Sequence, residues 1–241
     1  MISGWTIGTA ILIVGLAAVC AMQWYQIRKL KKKNQEMEER MRETDMSIML
    51  SQIQPHFLYN SLSAIRELCL EEPEEAPRAL EEFSAFLRGN MDSLRSKVPV
   101  PFCRELEHVK HYLHLEQIRF GDDLHIEYDI QEEDFFLPTL TIQPIVENAV
   151  KYGVGNKEEG GTVRISTRRE GKKIVITVLD DGIGFDVDEI EHIPVQKDGR
   201  THIGLSNVKH RLEKMVNGTM TIHSRRETGT IVQITLDAER K

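Results

Sequence analysis

Apolar positions recur with two different periods along this chain, and the change from one to the other divides it. In the first part, Leu50, Ile53, Phe57, Ala64 and Leu68 form one stripe at helical spacing, with Leu58, Leu62 and Ile65 beside it. Gln52, His56, Asn60, Ser63 and Glu67 form a polar stripe on the same helix. The pattern predicts a helix running from NQEMEER to RELCL and stopping near EEPEEAP, residues 71–77. A second helix, PRALEEFSAFLRGNMDSL, opens on a proline and repeats the period at Leu80, Phe83 and Leu87. Two helices with a short turn make a hairpin. One hairpin cannot bury both of its apolar faces, so packing against a second copy in a four-helix bundle is expected.

The prolines of KVPVPF break the pattern, and a third helix, RELEHVKHYLHLEQIRF, runs up to Gly121. Period-two segments then take over. LHIEYDI alternates like a strand, TLTIQPIVENAVKYG reads as a helix starting just after Pro138, and TVRISTRR and KIVITVLD read as strands joined by a Glu-Gly turn. The loop DDGIGF, a polar segment to about Thr201, the helix IGLSNVKHRLEKMVNG and the strand pair TMTIHSR and TIVQITL complete the chain. The class is α+β, with a sheet covered by helices on one face.

Ahead of the first helix, Trp5 to Tyr25 carries no charge, has aromatics at both ends and is followed by RKLKKK. That is the pattern of a retained transmembrane helix with its N-terminus outside and the rest cytoplasmic. The expected organisation is an anchor at 1–27, a helical linker at 28–50, the hairpin at 51–98 and an α/β domain at 103–238. The net charge of −7 argues against a nucleic-acid partner. The three cysteines show no metal-ligand spacing and fit a reducing compartment.

Three short motifs carry candidate chemistry. In DDGIGF, Asp180 closes a strand and can accept from an adenine amino group, while Gly182 and Gly184 allow close approach of backbone amides. Asn148 offers an amide oxygen to Mg²⁺, and Lys151 a point charge to phosphates. Gly204 and Leu205 open the GLSNV helix, where free amides favour anions. Taken singly, each also fits an ordinary acidic turn, a helix-surface amide or a plain helix entry. His108, His111 and His114 fit a solvated helix face better than a metal site.

The order helix with ENA, two strands, D-x-G-x-G, a variable segment, G-L-x-N-V helix and closing strand pair resembles the nucleotide-binding domain of the GHKL ATPases, a two-layer α/β sandwich of Bergerat type. QIQPHFLYNSL resembles the phosphoacceptor box of LytS-like sensor histidine kinases. The resemblance implies His56 as the phosphorylated histidine, Asn148 as the Mg²⁺ ligand and Asp180 as the adenine aspartate. It also implies Gly182, Gly184 and Gly204 as loop glycines and Thr230 beside the adenine. Asn60 would position water for removing phosphate from the partner. The expected protein is a homodimeric, membrane-anchored kinase that uses ATP and Mg²⁺ and passes its phosphoryl group to a response regulator, with a membrane or extracytoplasmic sensory partner as a source of signal. A nucleotide-binding pseudokinase scaffold and a serine-directed kinase are the alternatives. Three positions depart from the family pattern. Phe57 follows His56 where many kinases carry an acid, Pro144 stands four before Asn148, and His202 replaces a glycine of the last helix motif.

Overall fold

The computed structural model describes residues 22–24, 28–29, 31, 55–96, 98–186 and 201–238. The expected membrane span falls almost wholly outside the described residues, as do most of the linker and the polar segment 187–200. Among the described residues no helix is long and apolar enough to cross a membrane.

Helices α1 (Pro55–Glu71) and α2 (Ala76–Arg95) form the hairpin. Pro77 sits in the first turn of α2, where its missing N–H leaves no intrahelical bond unmade. Phe57, Ala64, Ile65 and Phe83 of the expected stripes are buried, with differences beside them. Ser61 and Phe86 are buried, whereas Leu62 and Leu80 are about half exposed. The reason is α3 (Phe102–Phe120), which packs against both hairpin helices and redirects their buried sides toward itself. At their junction Phe57 lies 4.8 Å from Phe86 and 5.1 Å from Tyr112, ring centre to ring centre.

Short strands β1 (Val100–Pro101) and β3 (Phe136–Leu137) pair at the base of α3. The main sheet contains β2 (Leu124–Ile130), β4 (Gly161–Glu170), β5 (Lys173–Asp180), β6 (Thr219–Arg225) and β7 (Gly229–Asp237), in the order β2-β4-β5-β7-β6. Only β2 and β4 run parallel. Alternation puts Ile165, Val178 and Val232 in one buried row across β4, β5 and β7, and Thr167, Ile176 and Ile234 in the next. Helices α4 (Gln143–Asn148) and α5 (Thr201–Val216) complete the helical layer with α3.

Helix α4 starts at Gln143, five residues after Pro138, which corrects the start expected from the proline. Leu140 holds a left-handed φ of 54°, so the chain turns before it coils. Two long side chains pin that turn. Glu105 of α3 accepts from the amides of Leu140 (2.7 Å), Thr141 (2.9 Å) and Ile142 (3.2 Å), and Arg211 of α5 donates to the carbonyls of Thr139 (2.8 Å) and Leu140 (2.7 Å). The amides at a helix start lack intrahelical acceptors, so a carboxylate from another helix supplies them and fixes where α4 begins. Burial pushes the Glu105 pKa up, while the amide bonds and the Arg211 charge act against that.

Candidate functional site

The alternation that builds the sheet's core also places Asp180. Ile174, Ile176 and Val178 face the helices, so the next position in phase with them, Asp180, does as well and is only 5% exposed. A carboxylate thus stands where the pattern calls for an apolar side chain. Gly182 donates its amide to Oδ1 at 3.1 Å. Thr230, directly across in β7, donates through backbone and hydroxyl, and its Oγ1 lies 2.9 Å from Ser224 Oγ. Burial pushes the Asp180 pKa up to about 6, and nearby Asp181 adds to that, while the Gly182 and Thr230 donors oppose it. At neutral pH the group remains chiefly an acceptor.

Backbone closes around this carboxylate from three sides. After Asn148 the helix widens into a π-turn, Ala149–Gly153, which brings Gly153 against Asp180 and Gly182. A Cβ on Gly182 would come within 2.1 Å of the Gly153 backbone, and one on Gly153 within 2.5 Å of Asp180 Oδ1. Gly229 has a φ of 103°, and a Cβ there would lie 1.9 Å from the Asp180 carbonyl oxygen. Gly184, at φ 56°, packs on the Arg225 carbonyl. The glycines of DDGIGF therefore serve contacts within the protein's own backbone. A buried acceptor framed by bare backbone fits a flat ligand edge carrying an amino group.

The structure draws Asp180, Gly182, Gly184 and Thr230 into one cluster. Asn148 and Lys151 belong to the helical segment that delivers Gly153 to it. Lys151 is exposed, with its Nζ 4.7 Å from the centre of the Tyr152 ring. Gly204 and Leu205 lie within α5, which packs against α4, and a Cβ on Gly204 would meet no atom within 4 Å.

His56 and Asn60 form a second site on α1. His56 is exposed, and the Asn60 amide nitrogen lies 3.1 Å from its Nδ1 and 3.4 Å from Nε2. With that nitrogen donating to Nδ1, the ring proton sits on Nε2. A half-turn of the amide presents Oδ1 instead, moves the proton to Nδ1 and frees the Nε2 lone pair. Both residues line a cleft of about 530 Å³ with Ser63 and Glu67 of α1 and with Ile118 and Arg119 of α3.

The histidine row on α3 is not the solvated face expected from its spacing. His108 is buried, stacked on Phe86 at 5.2 Å and covered by Gly89, and burial lowers its pKa. His111 pairs with Glu82 of α2, and His114 is half-buried with a lowered pKa. These residues face α2 because α3 is a central helix, which spacing alone does not reveal. Sequence reasoning also missed Glu105, Arg211 and Gly153. Of these only Gly153 left a local trace, as the glycine ending the ENAVKYG run.

A mixed sheet with a buried strand-end aspartate among glycines, preceded by a helical hairpin that presents a histidine, defines the catalytic core of a histidine kinase. Residues 44–124 match the family described as histidine kinase, and residues 136–240 the family described as histidine kinase-, DNA gyrase B-, and HSP90-like ATPase. The chain belongs to the LytS-like sensor histidine kinases. It is 35% identical over 192 residues to YwpD of Bacillus subtilis, a match covering 79% of this chain and 69% of that one. It is 34% identical to sensor histidine kinase YpdA of Escherichia coli, covering 94% of this chain and 39% of YpdA. It is 29% identical to sensor protein LytS of Oceanobacillus iheyensis, covering 84% of this chain and 36% of LytS. The chain thus spans well under half the length of these two sensor proteins.

Proposed function

We propose that the chain is a membrane-anchored homodimeric kinase that phosphorylates its own His56 from ATP and hands the phosphoryl group to an aspartate of a response regulator. The observation that carries this reading is the presence in one chain of two complementary parts. His56 is accessible with its ring held by Asn60, and Asp180 is a buried acceptor in a backbone cradle. The hairpin's exposed Tyr59, Leu62, Leu70 and Leu80 support pairing with a second copy. The charge-free run from Trp5 to Tyr25 and the basic run after it support the anchor.

In this reading Asp180 accepts from the amino group of the adenine, and Thr230 holds the carboxylate in place. Gly182 and Gly184 shape the loop beside it, and the first turn of α5, just ahead of Gly204 and Leu205, offers its free amides to the phosphates. Lys151 adds an exposed positive charge. Asn148 supplies the hard amide oxygen that suits magnesium, which when bound neutralises phosphate charge. The neutral imidazole of His56 attacks with its Nε2 lone pair. The new P–N bond forms as the bond from the γ-phosphorus to the bridging oxygen breaks, and ADP leaves with that electron pair. Pro144 provides no carboxylate to activate water, which favours transfer over hydrolysis.

The test uses the full chain in lipid nanodiscs with Mg²⁺ and γ-labelled ATP, beside a His56→Gln variant. Acid-labile label on the wild type and none on the variant is the expected result. Bound nucleotide without any label would indicate a scaffold, and acid-stable label a kinase directed at serine.

A further inference from the structure

The cleft beside His56 contains charges to which phosphoryl transfer has so far given no role. Its lining includes three carboxylates, Glu67, Glu71 and Glu72, and among the described residues its one cationic side chain apart from the histidine is Arg119 of α3. A phosphoryl group on His56 would bring about two negative charges into these surroundings. Without a cation nearby, like-charge repulsion would oppose the product.

Arg119 is not loosely placed. Its Nε donates to Glu116 Oε2 at 2.8 Å, and Nη2 makes a second, shorter contact with the same oxygen. The guanidinium also lies over the Phe120 ring, 4.0 Å from its centre. Glu116 is buried at 4% exposure, one turn back on α3 and within electrostatic reach of His56. A buried carboxylate therefore holds one edge of a guanidinium whose residue forms the cleft wall beside the histidine. The planar fork of arginine can then offer its remaining donors to phosphoryl oxygens.

We propose that Arg119 binds the phosphoryl oxygens as the P–N bond to His56 forms, and that Glu116 is the positioning residue that aims its guanidinium. The inference rests on His56 being the phosphoacceptor. It assigns Arg119 a direct contact with the transferred group, on the acceptor side and away from the Asp180 cradle.

The experiment uses the full chain in lipid nanodiscs and two phosphoryl donors. One is ATP; the other is phosphoramidate, a small donor that needs neither a nucleotide cradle nor magnesium. Arg119→Gln should slow labelling of His56 from both donors by about 10- to 100-fold, the range for losing charge-assisted hydrogen bonds, while affinity for an ATP analogue stays within about twofold. Arg119→Lys should recover part of the rate. The double variant E116Q/R119Q removes the buried carboxylate that the single variant leaves unpaired, so it decides the matter if Arg119→Gln does not fold. It should be as slow as Arg119→Gln, with Glu116→Gln adding nothing further, because the two act as one unit. A double variant as fast as the wild type would overturn the proposal by reducing Arg119 to a neutraliser of Glu116. Phosphoramidate labelling untouched in Arg119→Gln would overturn it as well. Arg119-dependent labelling from phosphoramidate with none from ATP would instead reject the proposed kinase function and leave this inference standing.

Discussion

Asp180→Asn should change how stability depends on pH, in a direction opposite to that of most carboxylate replacements. In the folded chain burial raises the Asp180 pKa from 3.8 to about 6. Between those values the folded state holds a proton that the unfolded state has released, so wild-type stability falls as pH rises. The stabilising protonated form is fully present below about pH 3.8 and lost as pH passes about 6. The gap of about 2 units, at about 1.36 kcal/mol per unit, amounts to about 3 kcal/mol. Asparagine does not titrate, so its variant lacks this fall. Its loss of one acceptor toward Gly182 or Thr230 is a constant offset of about 1–3 kcal/mol that shifts the difference between the two pH profiles without changing its slope. The measurement is urea unfolding of the chain from about Lys33 onward, without nucleotide, followed by circular dichroism at several pH values from 4 to 8. Relative to the variant, the wild type should lose about 2.5 kcal/mol across that range, most of it below pH 6.5. Parallel profiles would refute the argument, because they would mean that Asp180 ionises in the fold as it does in water. The variant should also fail to bind ATP at any pH.

Other substitutions test separate parts of the structure. Gly229→Ala forces a Cβ into the Asp180 carbonyl at a φ of 103°, and should cost about 3 kcal/mol or more in unfolding free energy and abolish nucleotide binding in a calorimetric titration. Glu105→Ala strands three amides at the start of α4 and an uncompensated Arg211, so thermal melting should show a loss of about 3–5 kcal/mol. Asn60→Ala removes the amide at the His56 ring and should lower the initial rate of His56 labelling about 5- to 15-fold at unchanged ATP affinity, which labelling and equilibrium binding measured together would check.

Much of this architecture could be read from local patterns, because a periodic signal reports on its own element. The β4–β5 hairpin follows from alternation around a Glu-Gly turn, and the helix-facing side of Asp180 follows from its phase with Ile174, Ile176 and Val178. The Asn60 contact with His56 follows from a spacing of one helical turn. What could not be read depended on partners distant in sequence. Phe86 is buried and Leu80 exposed because α3 packs where a lone hairpin would have none, and His108 is buried for the same reason. The start of α4 was displaced from Pro138 by Glu105 and Arg211, which lie 35 and 71 residues from Leu140. The π-turn that carries Gly153 to Asp180 has no local signature beyond the glycine itself.

Phe57 is adjacent to His56 and buried among Phe86 and Tyr112. Consecutive residues on a helix diverge by about 100°, so the neighbour that anchors the helix also sets the direction in which His56 points. Turning α1 far enough to re-aim His56 would pull Phe57 from its ring cluster, at a cost of about 2 kcal/mol in lost burial. The pair works like a ball detent on a shaft. Torques too small to supply that energy leave the histidine at its setting.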